Sequence, residues 1–226
     1  MTKSHKEGMM PAVDTPPPGR MARRRQVTRD SLLAAGQQLF AVRPIDSVSI
    51  DQIVDIADVA KGSFYNHFSD KDALAQAIVE MVGGDCEFHI QSANCGIDDP
   101  ALRVARAIGV MIRYALNHPE RIQSVINLSE RKTDASSPLN RGLRFDLVDG
   151  LSKGRFQDVD LETGALLVLG MITVTLRHRV ESGTSTTAPE AAARVAATVL
   201  RGLGLAPDEA RSLGEAAAML IETGAR

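Results

Sequence analysis

An all-α chain, with short helices at its amino-terminal end ahead of a longer helical body, is predicted by three features of the sequence. Apolar residues recur at spacings of three and four along most of the length, no stretch alternates apolar and polar residues as a half-buried strand does, and Pro, Gly, Asp and Ser clusters separate the periodic stretches. The 226 residues are 44% hydrophobic and 24% charged, which suits one large packed domain or two small ones and excludes disorder over most of the chain. The longest nearly apolar run, Ala165 to Leu176, falls short of the ~20 residues of a spanning helix. Cys86 and Cys95 are too few for a disulfide framework, and the first twenty residues hold no apolar signal-peptide core, so a cytoplasmic protein without membrane association is expected.

Residues 1–22 contain Pro11, Pro16, Pro17 and Pro18 with almost no large apolar group, and read as a disordered tail in which Met21 is a candidate translation start. From Thr28, which offers a cap, Leu32, Leu33, Gly36, Leu39 and Phe40 repeat with helical spacing until Pro44 stops them. Ser49 can cap a short second helix carrying Ile50, Ile53, Val54 and Ala57. Asp58 and Val59 interrupt it, and because Asp tolerates left-handed backbone a tight turn is expected before a third helix from Ala60 to Phe68. Ser69-Asp-Lys-Asp72 has the form of a capping box at the head of a longer fourth helix with Leu74, Ala77, Ile78, Met81 and Val82. Further helices are predicted at about 100–117, 119–130, 138–150, 158–181 and 188–203, without a fixed-period repeat.

Charge is unevenly distributed. Residues 1–29 hold seven basic against two acidic side chains, whereas the remainder holds 19 against 26, so the leading segment is either a local contact for a polyanion or a solvated tail. At about 100° per residue, Ala60, Phe64 and Phe68 share one side of the third helix and Gly62, Ser63 and Asn66 the other, flanked by Lys61 and Tyr65 and by His67. One face is apolar, and the other is small and hydrogen-bonding. Gly62 lowers helix propensity by about 1 kcal/mol, a cost that makes sense where a backbone must approach a groove wall.

The segment from Gln26 to Glu87, and above all Lys61-Gly-Ser-Phe-Tyr-Asn-His-Phe68 ahead of a helix headed by Lys71, resembles the DNA-binding domain of TetR/AcrR-type transcriptional regulators. The resemblance implies a three-helix DNA-binding domain over residues 23–87, with its helix-turn-helix at about 49–68, and a helical ligand-binding and dimerisation body over 88–226. It makes Ser49 a cap and phosphate contact, turns Lys61, Gly62 and Ser63 toward the major groove, and gives Tyr65, His67 and Lys71 to phosphates. Asn66 is either a base reader or a solvent-facing residue. Arg23, Arg24 and Arg25 would extend as an arm toward an adjacent groove. Two positions depart from the family pattern: Asp58 stands where Gly is usual, and Ala60 where a small hydroxyl residue is usual.

In the resembled family the last long helices dimerise. Here these are about 158–181 and 188–203, where Ala192, Val195, Ala196, Val199, Leu200 and Leu203 form a stripe and Ala165 to Leu176 is apolar nearly all round, so a homodimer through both is expected, the alternative being that they close a monomeric core. The family also implies a cavity for a small apolar or amphipathic ligand. Met81, Phe88, Met111, Tyr114, Ile122, Phe145 and Met171 are candidates for its lining or for plain core packing. His89, His118 and His178 lack metal-ligand spacing, and no phosphate loop, zinc-protease, paired-Cys or nucleophile-elbow motif supports an enzyme or a cofactor. Arg201-Gly-Leu-Gly reads as a helix stop. The expected function is a homodimeric, ligand-responsive repressor on a palindromic double-stranded DNA operator. The alternatives are a ligand-dependent activator and a helical adaptor without DNA binding.

Overall fold

A computed structural model describes residues 19–129, 140–182 and 186–223, and among the described residues there are ten α-helices and no strand. The first, α1 (Arg20–Val42), begins well before Thr28. Nothing after Gly19 breaks the helix-favouring run of Arg residues, and Thr28 Oγ1 donates to the Arg24 carbonyl one turn back (3.2 Å) instead of capping. Arg23, Arg24 and Arg25 are therefore exposed helical side chains, which corrects the expectation of an extended arm. Of the predicted tail, residues 1–18 lie outside the described residues and Arg20 to Ala22 are helical.

A 3-10 turn (Ile45–Ser47) leads into α2 (Ile50–Ala57), where Ser49 and Gln52 form a complete capping box: Ser49 Oγ accepts from the Gln52 amide (3.2 Å) and Gln52 Oε1 from the Ser49 amide (2.9 Å). Asp58 takes the left-handed conformation at φ 52°, ψ 50°, as its tolerance for that region foretells. Helix α3 (Lys61–Tyr65) is shorter than predicted, because the amides of His67 and Phe68 both turn back to the Phe64 carbonyl at 2.9 Å. Ala60 at its start supplies no capping oxygen. Helix α4 (Lys71–Ala93) is capped by Asp70, whose Oδ1 accepts from the Ala73 amide (2.7 Å), while Ser69 donates to the Asp70 carboxylate. The cap expected from Ser69 thus falls to Asp70, one residue on, and no box closes because the third helical residue is then Ala73. Phe40, Ile53, Phe64, Leu74 and Ile78 are fully buried together and bind α1 to α4.

The body comprises α5 (Pro100–Asn117), α6 (Pro119–Ser129), α7 (Arg141–Ser152), α8 (Leu161–Ser182), α9 (Ala188–Gly202) and α10 (Pro207–Thr223). Residues 130, 138 and 139 of the predicted helices lie outside the described residues. Helix α10 has no counterpart in the sequence-based expectation, although Pro207 with Asp208 and Glu209 is a start signal. It packs on α9 and α5 at close range: Gly109 lies against the Ala217 carbonyl and Gly214 against that of Ala193, with no room for a β-carbon at either. The helix stop after α9 is real, since Gly204 has φ +94° and also abuts Gln157 backbone.

These contacts consume the apolar stripe of α9. Ala192, Ala196, Val199, Leu200 and Leu203 are completely buried within the chain, which corrects their assignment to a partner-facing surface. Helix α8 behaves differently: Ala165, Val168 and Leu176 face the core, whereas Leu166 and Val174 (67% exposed) stand outward and Gly170 has no neighbour. Its all-round apolar character is thus met by core on one side and left open on the other. No helix of the described residues is long and apolar enough to cross a membrane.

Candidate functional site

Two sites can be built from the residues upward. The first surrounds α3. Phe64 and Phe68 are buried, and their rings, 5.9 Å apart, anchor α3 in the core beside α2, so the opposite side is presented outward. Lys61, Gly62, Tyr65 and Asn66 are exposed there, with Ser63 and His67 half-buried at the edges. Tyr65 stands edge-on to Phe64 (5.5 Å, 81°) and is 54% exposed, so its ring is braced while its hydroxyl reaches solvent. A β-carbon on Gly62 would meet nothing within 4 Å, so packing inside the chain does not require glycine at this position.

Lys61 Nζ pairs with Asp51 Oδ1 of α2 at 2.7 Å, and that hydrogen bond and charge raise its pKa. Sequence reading did not single out Asp51; its place on the first turn of α2, facing α3, was the available signal. The Ser49 hydroxyl accepts from Gln52 and so keeps its own proton for an external acceptor. Arg25 Nη2 approaches the Asn66 carbonyl (3.5 Å), and the Arg29 guanidinium lies 5.4 Å from the Phe68 ring centroid. Burial first, and then the charges of Arg25 and Arg29, hold the His67 imidazole below its ordinary value. The first site is a cationic surface with hydroxyl and amide donors around a neutral imidazole.

Lys71 is the exception. Its ammonium donates to the carbonyls of Ile45 (2.9 Å) and Val48 (2.6 Å), half-buried beneath the loop between α1 and α2. The predicted phosphate contact is therefore a brace for the loop that carries Ser49: the ammonium joins the Val48 amide on the Ile45 carbonyl that closes the 3-10 turn and adds the Val48 carbonyl beyond it.

The second site is a cavity of about 910 Å3 lined by α4 to α8 and open to solvent on part of its surface. Of the seven predicted lining residues, Met111 and Ile122 face it. Phe88 and Phe145 are 66% exposed, each one residue from a lining position (Glu87 and Asp146) and so rotated outward. Met81 borders a separate groove with Leu33 and Glu120, and Met171 packs against the core. Tyr114 is buried elsewhere, donating to Asp85 Oδ2 (2.7 Å) and accepting from Arg121 (3.2 Å), with burial pushing its pKa up to about 12. The polar liners Gln76, Glu87, Asn140, Asp146, Thr173 and Arg177 escaped sequence reading, which looked for apolar residues.

Asp146 is 8% exposed and its Oδ1 accepts from Arg103 Nε at 2.6 Å, while Arg103 Nη2 donates to Asp149 at 2.7 Å. Cys86 lines the cavity as a free thiol, pushed up to about 12 chiefly by burial, and Cys95 is exposed and also free. Among the described residues no group of three His, Cys, Asp or Glu could hold a metal ion.

Comparison with known proteins assigns both parts of the chain to one family. Residues 32–78 match the model of bacterial regulatory proteins of the tetR family, and residues 99–216 match that of the tetracyclin repressor-like C-terminal domain. The transcriptional repressor NemR of Escherichia coli K12 is 40% identical over 53 residues, which is 24% of this chain and 27% of NemR. The repressor DhaR of Mycobacterium sp. strain GP1 is 34% identical over 79 residues, 35% of this chain and 40% of DhaR. The chain thus spans well under half the length of these curated relatives. The crystal structure of RolR with its ligand resorcinol superposes with a TM-score of 0.61 at 26% identity, over 85% of this chain and 95% of RolR.

Proposed function

The chain belongs to the TetR family of bacterial transcriptional regulators, non-enzymatic DNA-binding proteins, and from that premise we propose that it is a homodimeric, ligand-responsive repressor of a palindromic operator. The two-faced surface around α3 carries this reading. With Phe64 and Phe68 fixed in the core, Lys61, Gly62, Ser63 and Asn66 enter the major groove, and Ser49, Tyr65 and His67 contact phosphates on its walls. The open space at Gly62 supports close approach of the groove, since no intramolecular neighbour accounts for the glycine. Arg23, Arg24 and Arg25 add charge along the DNA backbone from the exposed first turns of α1.

Residues 23–87 serve in this reading as the DNA-binding unit and 88–226 as the ligand-binding and dimerisation body, with α4 running through the boundary. The open face of α8 supplies the apolar part of the dimer contact, beside the exposed edge of α9. A two-fold dimer then sets the two α3 helices on half-sites related by the same symmetry. The cavity, within the ~300–1,000 Å3 usual for small-molecule sites, accepts the effector. Helices α4 and α6 line the cavity and pack against α1, so an occupant that shifts them favours a dimer whose α3 spacing misses the half-sites. That RolR is seen with resorcinol supports a small organic effector. Action on a chromosomal operator places the protein in the cytoplasm.

The test is selection of bound fragments from random DNA by the purified protein, read by sequencing. A palindromic motif with half-sites about one helical turn apart is expected. Failure to enrich any sequence, together with retention of DNA that does not respond to salt, contradicts operator binding.

A further inference from the structure

Two of the polar residues that line the cavity, Glu87 on α4 and Asp146 on α7, come together on one wall. The Glu87 carboxylate packs against Gly142, which lies one turn before Asp146 on α7, and both carboxylates line the cavity. The cavity residues of α4 run from Gln76 to Ile90, a length of about 21 Å at 1.5 Å per residue. Along that length the wall is aliphatic, with Val79, Val82, Met111, Ile122, Val168 and Ile172 among its members.

Each carboxylate has an oxygen that no donor among the described residues reaches. Asp146 Oδ1 is taken by Arg103, but no donor among the described residues reaches Oδ2. Glu87 Oε1 accepts from Gln91 Nε2 (3.0 Å), and none reaches Oε2. Arg103 cannot turn inward to serve them, because its Nη1 donates to the carbonyls of Ile97 (3.1 Å) and Asp98 (3.0 Å) and its Nη2 to Asp149. The other polar liners Asn140 and Arg177 have interactions of their own, and the Arg177 Nε, a buried donor that makes no hydrogen bond, is not among the groups that reach these oxygens. Neither oxygen is sealed from solvent, and a ligand that displaces that solvent must bring a donor or leave the acceptor unmatched. Burial, with the neighbouring Glu87 charge adding to it, holds the Asp146 carboxyl above its ordinary range even beside Arg103.

We propose that the effector is an elongated, uncharged amphiphile whose hydroxyl head donates hydrogen bonds to Asp146 Oδ2 and Glu87 Oε2 while its apolar body lies along α4. This rests on the cavity being the effector site. A carboxylate head brings like charge to the same wall, and an ether or ester head brings only acceptors, so both leave the two oxygens unmatched.

Three probes of matched shape separate the cases: 4-pentylphenol, its methyl ether 4-pentylanisole, and 4-pentylbenzoate. Binding to the full chain is measured by calorimetry, since the protein has no Trp to report it. The phenol is expected to bind at least about tenfold tighter than either of the others. In Asp146→Asn, Arg103 keeps the side-chain oxygen and the amide nitrogen points into the cavity, so the preference for the phenol over the ether is lost or reversed. Glu87→Gln, which breaks no ion pair, weakens the phenol severalfold and guards against a folding defect in the first variant. Equal or tighter binding of the ether or the benzoate by the parent overturns the hydroxyl-head proposal while leaving the cavity as the effector site. Ala107→Phe, which fills the cavity from α5, is expected to abolish binding of the phenol. If that variant binds like the parent, or no probe binds the parent, the cavity is not the effector site and the proposal falls with that reading.

Discussion

Asn127 on α6 donates to the carbonyls of Phe40 (2.9 Å) and Ala41 (3.2 Å) in the last turn of α1. Those carbonyls are among the acceptors a helix end leaves open, so one side chain of the body completes a helix of the DNA-binding unit. Ile122, Val125 and Ile126 of the same helix face the cavity. Asn127→Ala is expected to cost about 1–2 kcal/mol of stability. It should also shrink the ratio of operator affinities measured by anisotropy without and with a cavity-bound effector. An unchanged ratio would assign the coupling to α4 alone.

Two lysines of the recognition region separate by what they touch. Lys61 pairs only with exposed Asp51, so Lys61→Ala should leave the thermal midpoint unchanged and weaken operator binding, with a shallower salt dependence. Lys71 holds two loop carbonyls, and Lys71→Met is expected to cost about 2 kcal/mol of stability. Denaturant titration beside a DNA-binding assay distinguishes them; equal thermal losses would refute the assignment.

How far the sequence foretold this arrangement depends on the range of the interaction responsible. Ser49, Asp58 and the Phe64–Phe68 face are governed by neighbours within one or two turns, and all three stand as the sequence indicates. The roles of Lys71 and of the α9 stripe are decided by partners far along the chain, the 3-10 turn in one case and α5 and α10 in the other. The cavity shows the same limit. Glu87 and Phe88 are adjacent, and only the packing of α4 determines which of them turns inward.

His67 gives the operator complex a pH dependence with a definite sign. Its imidazole is held below 6.5, chiefly by burial, and is neutral at pH 7. Phosphate at this position favours the protonated form, so DNA binding takes up a proton and affinity should rise as pH falls from about 7.5 toward 6. His67→Gln should flatten that rise. In the free protein the same depressed pKa has the opposite effect: its contribution to stability is present above 6.5 and is lost as pH falls through the folded value. Affinity that falls on acidification while the protein stays folded would remove His67 from the phosphate contacts.

Arg103 compensates two carboxylates, one of them almost fully buried. Arg103→Met leaves Asp146 charged and without its partner, and a loss of about 3 kcal/mol is expected. Adding Asp146→Asn should recover part of it. Because burial raises the Asp146 pKa, the stability it contributes is present at low pH and is lost as pH rises through the folded value. The Arg103→Met variant should therefore gain on the parent as pH falls toward the ordinary carboxylate range, as followed by urea denaturation. A constant difference across that range would show that Asp146 is not the group left uncompensated.

The outward face of α8 tests the dimer. Leu166 and Val174 are exposed apolar residues two turns apart, with Gly170 between them free of neighbours, so a second helix can approach the backbone there. The α9 stripe is already covered by α5 and α10 and contributes no comparable apolar area. Val174→Arg places a charge in the middle of such a contact while meeting only solvent in the isolated chain. It should convert a particle of twice the 24.2 kDa chain mass into the monomer in sedimentation, with secondary structure intact. Operator affinity should fall with it, because one helix-turn-helix then holds a single half-site. An α9 charge substitution such as Thr198→Arg, at the exposed edge of that helix, should weaken the dimer less. If Val174→Arg stays dimeric and Thr198→Arg does not, the interface lies on α9 and the open face of α8 needs another occupant.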